Sequence, residues 1–268
     1  MNDQWQCLRV AIDQGVATVT IDHPPLNLLD LALIRELDAV GRALAGDDAV
    51  RVVVLRSANP DFFIAHADVT LIQLMPTSPP PPPTELGLFH AMVDRFRTMP
   101  KATIGVIEGI ARGGGSELLL SLDMRFAALG RAVLAQPEVA LGIIPGGSGT
   151  QRLPRLVGRG RALEIILGCD DVPAELAERW GYVNRALPPD ELRPFVARLA
   201  TRIASFPAAA IALAKEAVNA ADTSIVAGLL AEADCFNRSL ADAESQERMR
   251  RFMAAGGQTV AVEKGRLF

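Results

Sequence analysis

The stretch ATIGVIEGIARGGGSELLLSLD, between Ala102 and Asp123, narrows the choice of fold class more than any other part of the chain. It opens with a continuous apolar run, which is typical of a strand buried on both faces. Three consecutive glycines follow, and the chain then enters an apolar helical segment with a single carboxylate, Glu117, at its head. A strand, a glycine turn and a helix in immediate succession predict an α/β fold.

The first half of the chain alternates between strand-like and helix-like segments. CLRVAID and GVATVTID are alternating runs separated by a short polar turn, and they predict a β-hairpin. Apolar residues recur with a helical period from Leu29 to Ala45, and VRVVVLRS then predicts a buried strand. A helix is expected from Leu86 to Thr98, and MRFAAL and AVLAQPE predict two short strands after the glycine turn.

The second half of the chain is dominated by helical patterns. From Gly160 onward the sequence predicts helices, interrupted only by the short segment GYVNRAL. We therefore expect an α/β core over residues 1–200 and a helical region over residues 201–268. Five prolines, Pro79 to Pro83, favour an extended surface loop within the core, and a lid over a binding cleft is the alternative.

Composition argues against several classes of function. The net charge of −4 differs from the basic surplus of a nucleic-acid-binding protein. Three scattered cysteines and three histidines lack the spacing of a zinc site, so no metal is expected, and the thiols are predicted to be small buried groups in a reducing compartment. The first residues lack the apolar segment of a signal peptide, and no membrane span is expected, so we predict a cytoplasmic protein.

The glycine turn before Glu117 has three possible roles. A dinucleotide or phosphate site would require G-x-G-x-x-G in its usual context or a Gly-Lys-Ser/Thr sequence, and both are absent. Close packing of the backbone is a second explanation. The third is that the first amides of the helix, which have no partner within it, are exposed to stabilise an oxyanion. Glu117 would then lie one turn from the developing charge as an acid or base.

A second carboxylate, Glu138, occurs in a similar setting. It follows a short strand, has apolar neighbours and precedes the glycine-rich turn IIPGGSGTQRL. Either carboxylate taken alone could be an ordinary surface or hydrogen-bonded group. Together the two glutamates favour the hypothesis of paired acid and base catalysis.

Three segments resemble the enoyl-CoA hydratase/isomerase family, within the crotonase superfamily, in the family's order. FFIAHADV is similar to the first oxyanion loop, EGIARGGGSELLLSLDMRFAA to the second, and QPEVALGIIPGGSGTQRLPRLVG to the block that carries the second glutamate. The resemblance covers nearly the whole chain. It implies a crotonase-like spiral of β-β-α turns in residues 1–200, with the acyl-CoA site, and a C-terminal helical trimerisation region.

The resemblance also implies a reaction and a set of site residues. An enoyl-CoA hydratase would add water to the double bond of a 2-enoyl-CoA thioester, without a cofactor beyond the coenzyme A of the substrate itself. No nucleic-acid or membrane partner is expected, and the assembly would be a homotrimer or a dimer of trimers. The residues implied are the catalytic Glu117 and Glu138, the oxyanion donors Ala67 and Gly114, and the substrate contacts Ala65, His66, Asp68, Lys101 and Gly113.

Two residues depart from the family pattern, and two other functions stay open. His66 stands where a glycine is usual, and Arg112 precedes the glycines where an apolar residue is common. His66 could contact coenzyme A, shift its loop or have no role, and catalysis is not expected to need it. The alternatives to hydration are Δ3–Δ2 enoyl-CoA isomerisation, which needs one glutamate, and a scaffold that binds acyl-CoA or RNA without catalysis.

Overall fold

The computed structural model of the protein describes residues 5–78, 80–219, 225–241 and 243–265. Pro79, Ser224 and the side chain of Cys235, on which the sequence predictions touch, lie outside the described residues. The other two cysteines are free thiols. Cys7 is buried, as predicted, whereas Cys169 is partly exposed.

The chain begins with the predicted hairpin, formed by β1 (Leu8–Asp13) and β2 (Val16–Ile21). The two strands are antiparallel, and Asp13 faces Val16 at their closed end. Gln14 and Gly15 make the two-residue turn with φ values of 46° and 80°. Positive φ at both central residues is what a tight hairpin turn requires, because it matches the twist of the strands.

The hairpin forms one side of a six-stranded sheet, with β1 as the edge strand. Its other strands are β3 (Val52–Ser57), β5 (Ala102–Ile107), β7 (Met124–Ala128) and β10 (Arg185–Leu187). The strand order is β1-β2-β3-β5-β7-β10, and every neighbouring pair after the hairpin is parallel. Parallel pairing places the carboxyl ends of these strands at one edge of the sheet, where the loops that bear the oxyanion segments begin.

A second sheet of four short strands lies beside the first. It contains β4 (Phe62–Ile64), β6 (Ile110–Arg112), β8 (Val133–Ala135) and β9 (Val172–Pro173), in the order β4-β6-β8-β9. The chain passes from β3 to β4, from β5 to β6 and from β7 to β8, and helical structure follows each pair. This repeat confirms the predicted spiral of β-β-α turns. The sequence analysis missed β4, β6 and β9.

Among the described residues up to Ala204, eight helices pack around the sheets. They are α1 (Leu31–Ala45), α2 (Val69–Gln73), α3 (Leu88–Thr98), α4 (Gly114–Leu120), α5 (Gly149–Val157), α6 (Arg159–Gly168), α7 (Ala174–Trp180) and α8 (Pro189–Ala204). A 3-10 helix covers Glu138–Leu141. The carboxylate of Asp30 accepts a hydrogen bond from Leu33 N, so α1 begins two residues after the predicted start.

The main sheet is covered on both faces, as its apolar strands predict. Val52 and Val54 of β3 pack in one cluster with Leu192 and Val196 of α8. Val53 and Leu55, which point the other way, belong to a larger cluster that includes apolar side chains of α1, α3 and α4. Successive residues of a strand face opposite sides of the sheet, so a strand buried on both sides must be apolar throughout.

The C-terminal part is helical, with α9 (Ala208–Asn219), α10 (Ile225–Leu240), α11 (Ala243–Ala254) and α12 (Val260–Glu263). Residue 200, the predicted boundary, lies inside α8, and the helix breaks at 205–207. The apolar side chains of α10 divide into two groups, because Ile225 and Leu229 are buried whereas Val226 is 48% exposed. α10 and α11 pack against the core and not apart from it.

No single described helix is long and apolar enough to cross a membrane. α8 and α9 reach the length and apolar composition of a membrane span only when they are counted as one segment. The two helices are bent by 107° relative to each other. The face of α8 that carries Leu192, Val196 and Ala200 is buried against the main sheet.

Candidate active site

An apolar cavity of about 410 Å³ opens at the carboxyl ends of the parallel strands. Its walls come from α1, α2, α3 and α10, which contribute side chains such as Ile34, Leu71, Phe89 and Phe236. Pro83 also lines the cavity, so the end of the proline segment forms part of its wall. The cavity is therefore suited to an apolar ligand.

Two backbone amides lie at the wall of this cavity. Ala67 follows β4, and Gly114 is the first residue of α4. A Cβ built on Gly114 would lie 3.6 Å from Ala67 Cβ and 2.7 Å from Leu29 Cδ2, so a side chain at this position would collide with the packed neighbours. Neither the Ala67 nor the Gly114 N–H donates a hydrogen bond to another described residue. Two such donors side by side can polarise one carbonyl oxygen.

Glu117 is 3% exposed and stands on the first turn of α4, beside these amides. Its Oε1 accepts hydrogen bonds from the amides of Gly147 and Gly149, both at 2.8 Å. Burial, followed by the charges of Glu232 and Glu138, raises the pKa of Glu117 well above its ordinary value, and the two amide hydrogen bonds oppose this rise. The apolar surroundings therefore have the larger effect on the pKa of Glu117.

Glu138 begins the 3-10 helix and lines the same cavity as Glu117. A Cβ built on Gly113, where φ is +49°, would lie 2.7 Å from Glu138 Oε1, so the glycine makes room for this carboxyl group. Glu138 Oε2 is buried and accepts no hydrogen bond from a described residue. Burial raises the pKa of Glu138 to about 8 from its usual 4.5, with a smaller contribution from the charge of Glu232. At neutral pH this carboxyl group therefore tends to hold its proton.

The raised pKa of Glu138 predicts a pH-dependent cost in stability. Between pH 4.5 and about 8 the folded state binds more protons at Glu138 than the unfolded state does, so the free energy of unfolding falls as pH rises through this window. Glu138→Gln removes the titration and should unfold at a higher temperature than the wild type, with a difference that grows from about pH 5 to about pH 8. Thermal melts at several pH values measure it, and a pH-independent difference would contradict the prediction.

A sequence profile of the enoyl-CoA hydratase/isomerase family matches residues 11–257. The chain belongs to this family. It is 35% identical to the crotonyl-CoA hydratase of Syntrophomonas wolfei over 244 residues, which are 90% of this chain and 92% of that one. It is also 35% identical to the short-chain-enoyl-CoA hydratase of Clostridium acetobutylicum, over 89% of this chain and 91% of that one.

The fold of the chain is likewise that of the enoyl-CoA hydratase/isomerase family. The crystal structure of an enoyl-CoA hydratase from Mycobacterium avium subsp. paratuberculosis superposes with a TM-score of 0.82, at 28% identity, and covers 94% of this chain and 97% of that chain. The crystal structure of an enoyl-CoA hydratase from Bacillus halodurans gives a TM-score of 0.84, at 22% identity, over 92% of this chain. The second likeness concerns the fold alone.

The structure brings together most of the family residues that the sequence predicts. Ala67, Asp68, Gly114, Glu117 and Glu138 all line the large cavity. His66 and Gly113 line a small pocket next to it, again with Glu138. Ala65 is buried behind them, and its amide donates to Leu26 O. Among the described residues, no three His, Cys, Asp or Glu side chains are grouped so as to hold a metal ion.

Lys101 does not join this group. It precedes β5, at the amino end of the strand, whereas the cavity lies at the carboxyl ends. Its side chain is buried, and Nζ donates to Asp47 O at 2.9 Å. The predicted contact between Lys101 and coenzyme A is therefore replaced by a structural role, in which Lys101 fastens the loop after α1.

His66 has both ring nitrogens within hydrogen-bonding distance of protein oxygens. Nδ1 lies 2.8 Å from Ala67 O, and Nε2 lies 2.8 Å from Glu263 Oε1 of α12. Only 6% of the residue is exposed. The imidazole therefore links the oxyanion loop to the C-terminal helix, and its contact with coenzyme A stays a prediction. Arg112, the second departure from the family pattern, binds the same segment through Glu263 O and Gly265 O.

We expect His66→Ala to lower the free energy of unfolding by about 3 kcal/mol, because the buried Glu263 carboxylate loses its ion-pair partner and keeps the hydrogen bond from Gln258 N. Burial raises the pKa of Glu263, but the hydrogen bond and charge of His66, together with the Gln258 amide and the charge of Arg112, more than reverse this, so the pKa is lowered. The contribution is thus present at neutral pH and is lost as pH falls through the lowered pKa. Urea unfolding at neutral pH measures the difference.

His23→Ala is the matched control for this measurement. His23 Nε2 also lies 2.8 Å from a carboxylate, that of Asp30, but both side chains are about 30% exposed (28% and 30%). A partly solvated pair contributes only about 0–1 kcal/mol. If His66→Ala destabilised the protein no more than His23→Ala, the buried pair would not anchor α12.

Sequence reasoning missed three groups that complete the site. The amides of Gly147 and Gly149 hold Glu117, although the sequence analysis noted the segment IIPGGSGT only as a glycine-rich turn after Glu138. Phe89 packs so closely that its ring would lie 1.9 Å from a Cβ on Gly147. Glu232 contacts the same turn from α10, 82 to 142 residues away from its partners along the chain. The glycines themselves were a usable signal, whereas the helical pattern around Glu232 contained none.

Proposed function

We propose that the protein is an enoyl-CoA hydratase that adds water to the double bond of a 2-enoyl-CoA thioester. The observation that supports this is the presence of two carboxyl groups in one apolar cavity, that of Glu117 buried and that of Glu138 half-buried, beside two backbone amides that donate to no described residue. Hydration needs both a base and an acid, and burial raises the pKa values of both carboxyl groups above their ordinary value.

In the proposed reaction, the amides of Ala67 and Gly114 donate hydrogen bonds to the thioester oxygen. They polarise the conjugated carbonyl and so make the β-carbon electrophilic. Glu117 accepts a proton from the attacking water, whose oxygen forms a bond to the β-carbon. The resulting enolate takes a proton at the α-carbon from Glu138, which is protonated at neutral pH. Proton exchange with solvent restores both carboxyl groups.

The proposal includes the class of substrate and the absence of a further cofactor. Coenzyme A enters as part of the substrate, and the apolar cavity would hold the acyl chain. No metal, nucleic acid or membrane is needed for the proposed steps, and we propose a cytoplasmic location. Asp68 at the cavity wall and Gly113 in the adjoining pocket are the remaining candidates for contact with the substrate.

The decisive experiment follows the absorbance of the conjugated thioester when crotonyl-CoA is mixed with the protein. Hydration removes the conjugation, so the absorbance should fall to an equilibrium value and 3-hydroxybutyryl-CoA should form. If a 3-enoyl-CoA gained conjugation instead and crotonyl-CoA stayed unchanged, the protein would be an isomerase. Binding of acyl-CoA without either change would indicate a non-catalytic scaffold.

We also propose that the protein assembles as a trimer or as a pair of trimers. No side chain of α9 is buried, although the helix is rich in apolar residues, and Leu213 and Val218 are 63% and 73% exposed. Such a surface is typical of an interface. Light scattering at micromolar concentration should give a mass of at least three chains, and a particle of 28.6 kDa would contradict the proposal.

A further inference from the structure

The turn before α5 divides its amides between two buried carboxylates. Gly147 N and Gly149 N each donate to Glu117 Oε1 at 2.8 Å. The intervening Ser148 N donates to Glu232 Oε1 at 2.5 Å, and Thr150 N donates to Glu232 Oε2 at 2.9 Å. Four consecutive N–H groups therefore alternate between a carboxylate on α4 and a carboxylate on α10.

This alternation depends on an unusual backbone conformation at Ser148. Its φ is +118°, which few residues other than glycine adopt, so the surrounding contacts must hold it. The hydrogen bond from Ser148 N to Glu232 is one such contact, and the bond from its Oγ to Glu117 O is another. If the turn relaxed, the amides on either side of Ser148 would no longer point at Glu117.

Glu232 is itself fixed from several sides. It is 2% exposed and accepts further hydrogen bonds from Thr150 Oγ1 and, at 3.0 Å, from Nε2 of His90 on α3. The other charged groups around it are Glu117 on α4, Glu138 on the 3-10 helix and Arg152 on α5, whose guanidinium is paired with Asp94. A carboxylate with four donors is held in one place and can serve as a rigid support.

We propose that Glu232 is a positioning residue, which holds the turn at 147–150 so that two of its amides face Glu117. Glu232 does not line the large cavity and is assigned no contact with substrate. The charge of Glu232 has a second effect, because it raises the pKa of Glu117. Among the causes of that rise it is second only to burial. This role of Glu232 rests on the proposed hydratase function only where kcat is the quantity measured.

The test is Glu232→Gln, which keeps the shape of the side chain but loses its charge and one acceptor. We expect kcat for crotonyl-CoA hydration to fall at least about tenfold, with KM changed by less than about threefold, because the contact acts on Glu117 and not on coenzyme A. The pKa of Glu117 can be read from the infrared difference between a protein and the same protein carrying Glu117→Gln. In Glu232→Gln this pKa should be lower than in the wild type.

Leu229→Val is the matched control, since Leu229 is fully buried on the same helix, three residues earlier, and does not line the cavity. It should leave both kcat and the Glu117 titration unchanged. If Glu232→Gln resembled Leu229→Val in both measurements, the proposal would be overturned. If the wild type failed to hydrate crotonyl-CoA, the proposed function would fall, while the infrared titration would still test the role of Glu232.

A second variant tests the backbone argument directly. Glycine adopts positive φ without strain. Ser148→Gly, added to the Glu232→Gln protein, should therefore restore part of the kcat that Glu232→Gln loses. Absence of any recovery would contradict a role through the turn. If Glu232→Gln does not fold, Thr150→Val replaces it, because this change removes one donor to Glu232 and should lower kcat by roughly threefold. A kcat equal to that of Leu229→Val would then count against the proposal.

Discussion

Glu117→Gln is expected to lower kcat for crotonyl-CoA hydration by about 10² to 10⁴, the usual contribution of a positioned acid or base. The glutamine oxygen can still accept from the amides of Gly147 and Gly149, so the turn should keep its place. What is lost is the ability to take a proton from water. Steady-state kinetics with crotonyl-CoA measure the effect.

The control for Glu117→Gln is the binding of a saturated thioester such as butyryl-CoA, which needs the oxyanion amides but no proton transfer. Its affinity should stay close to that of the wild type, and the melting temperature should not fall below the wild-type value, because burial also raises the pKa of Glu117. Hydration at a near wild-type rate would show that Glu117 does not act as a base. A loss of binding equal to the loss of rate would point to a collapsed cavity instead.

Glu138→Gln is expected to reduce hydration by a similar factor, about 10² to 10⁴, through the opposite half of the reaction. Glutamine cannot donate a carboxyl proton to the α-carbon. Because the pKa of Glu138 is raised to about 8, wild-type hydration at saturating substrate should also decline as pH rises through this value and the proton is lost. Glu138→Gln should lack this decline.

The two glutamine variants together separate hydration from isomerisation. A hydratase needs both carboxyl groups, so each variant should be impaired towards crotonyl-CoA. If only one variant lost activity, and the wild type converted 3-enoyl-CoA to 2-enoyl-CoA, isomerase chemistry would be favoured. Glu138→Gln should also be more thermostable than the wild type near pH 8, so a gain in stability should accompany its loss of activity.

The sequence predicted the longer elements because each carries its own periodicity or turn. The hairpin at Gln14–Gly15, the apolar strand β3 and the helix capped by Asp30 are local features, and the structure contains all three. β4 and β6 are three residues long, too short for an alternating pattern to be recognised, and they exist because parallel neighbours pair with them.

For the site, the local signals identified the glutamates but not what holds them. Glu117 and Glu138 were found because an isolated carboxylate in an apolar segment beside glycines is unusual. The contacts of Glu232 and Glu263 join segments that are more than 80 residues apart, and such contacts are set by packing rather than by neighbouring residues. Lys101 was placed wrongly because its position in the sequence does not reveal which end of β5 faces the cavity.

The large cavity draws its walls and its reactive groups from different parts of the chain. The apolar lining comes mainly from residues 71–89 and 233–237, whereas the amides and carboxyl groups belong to residues 67, 114, 117 and 138. After gene duplication, substitutions at Leu71, Met75 or Phe236 could therefore redirect one copy to a longer, shorter or branched acyl chain without disturbing proton transfer. A scaffold divided in this way allows new substrate preferences to arise by drift while selection preserves the chemistry.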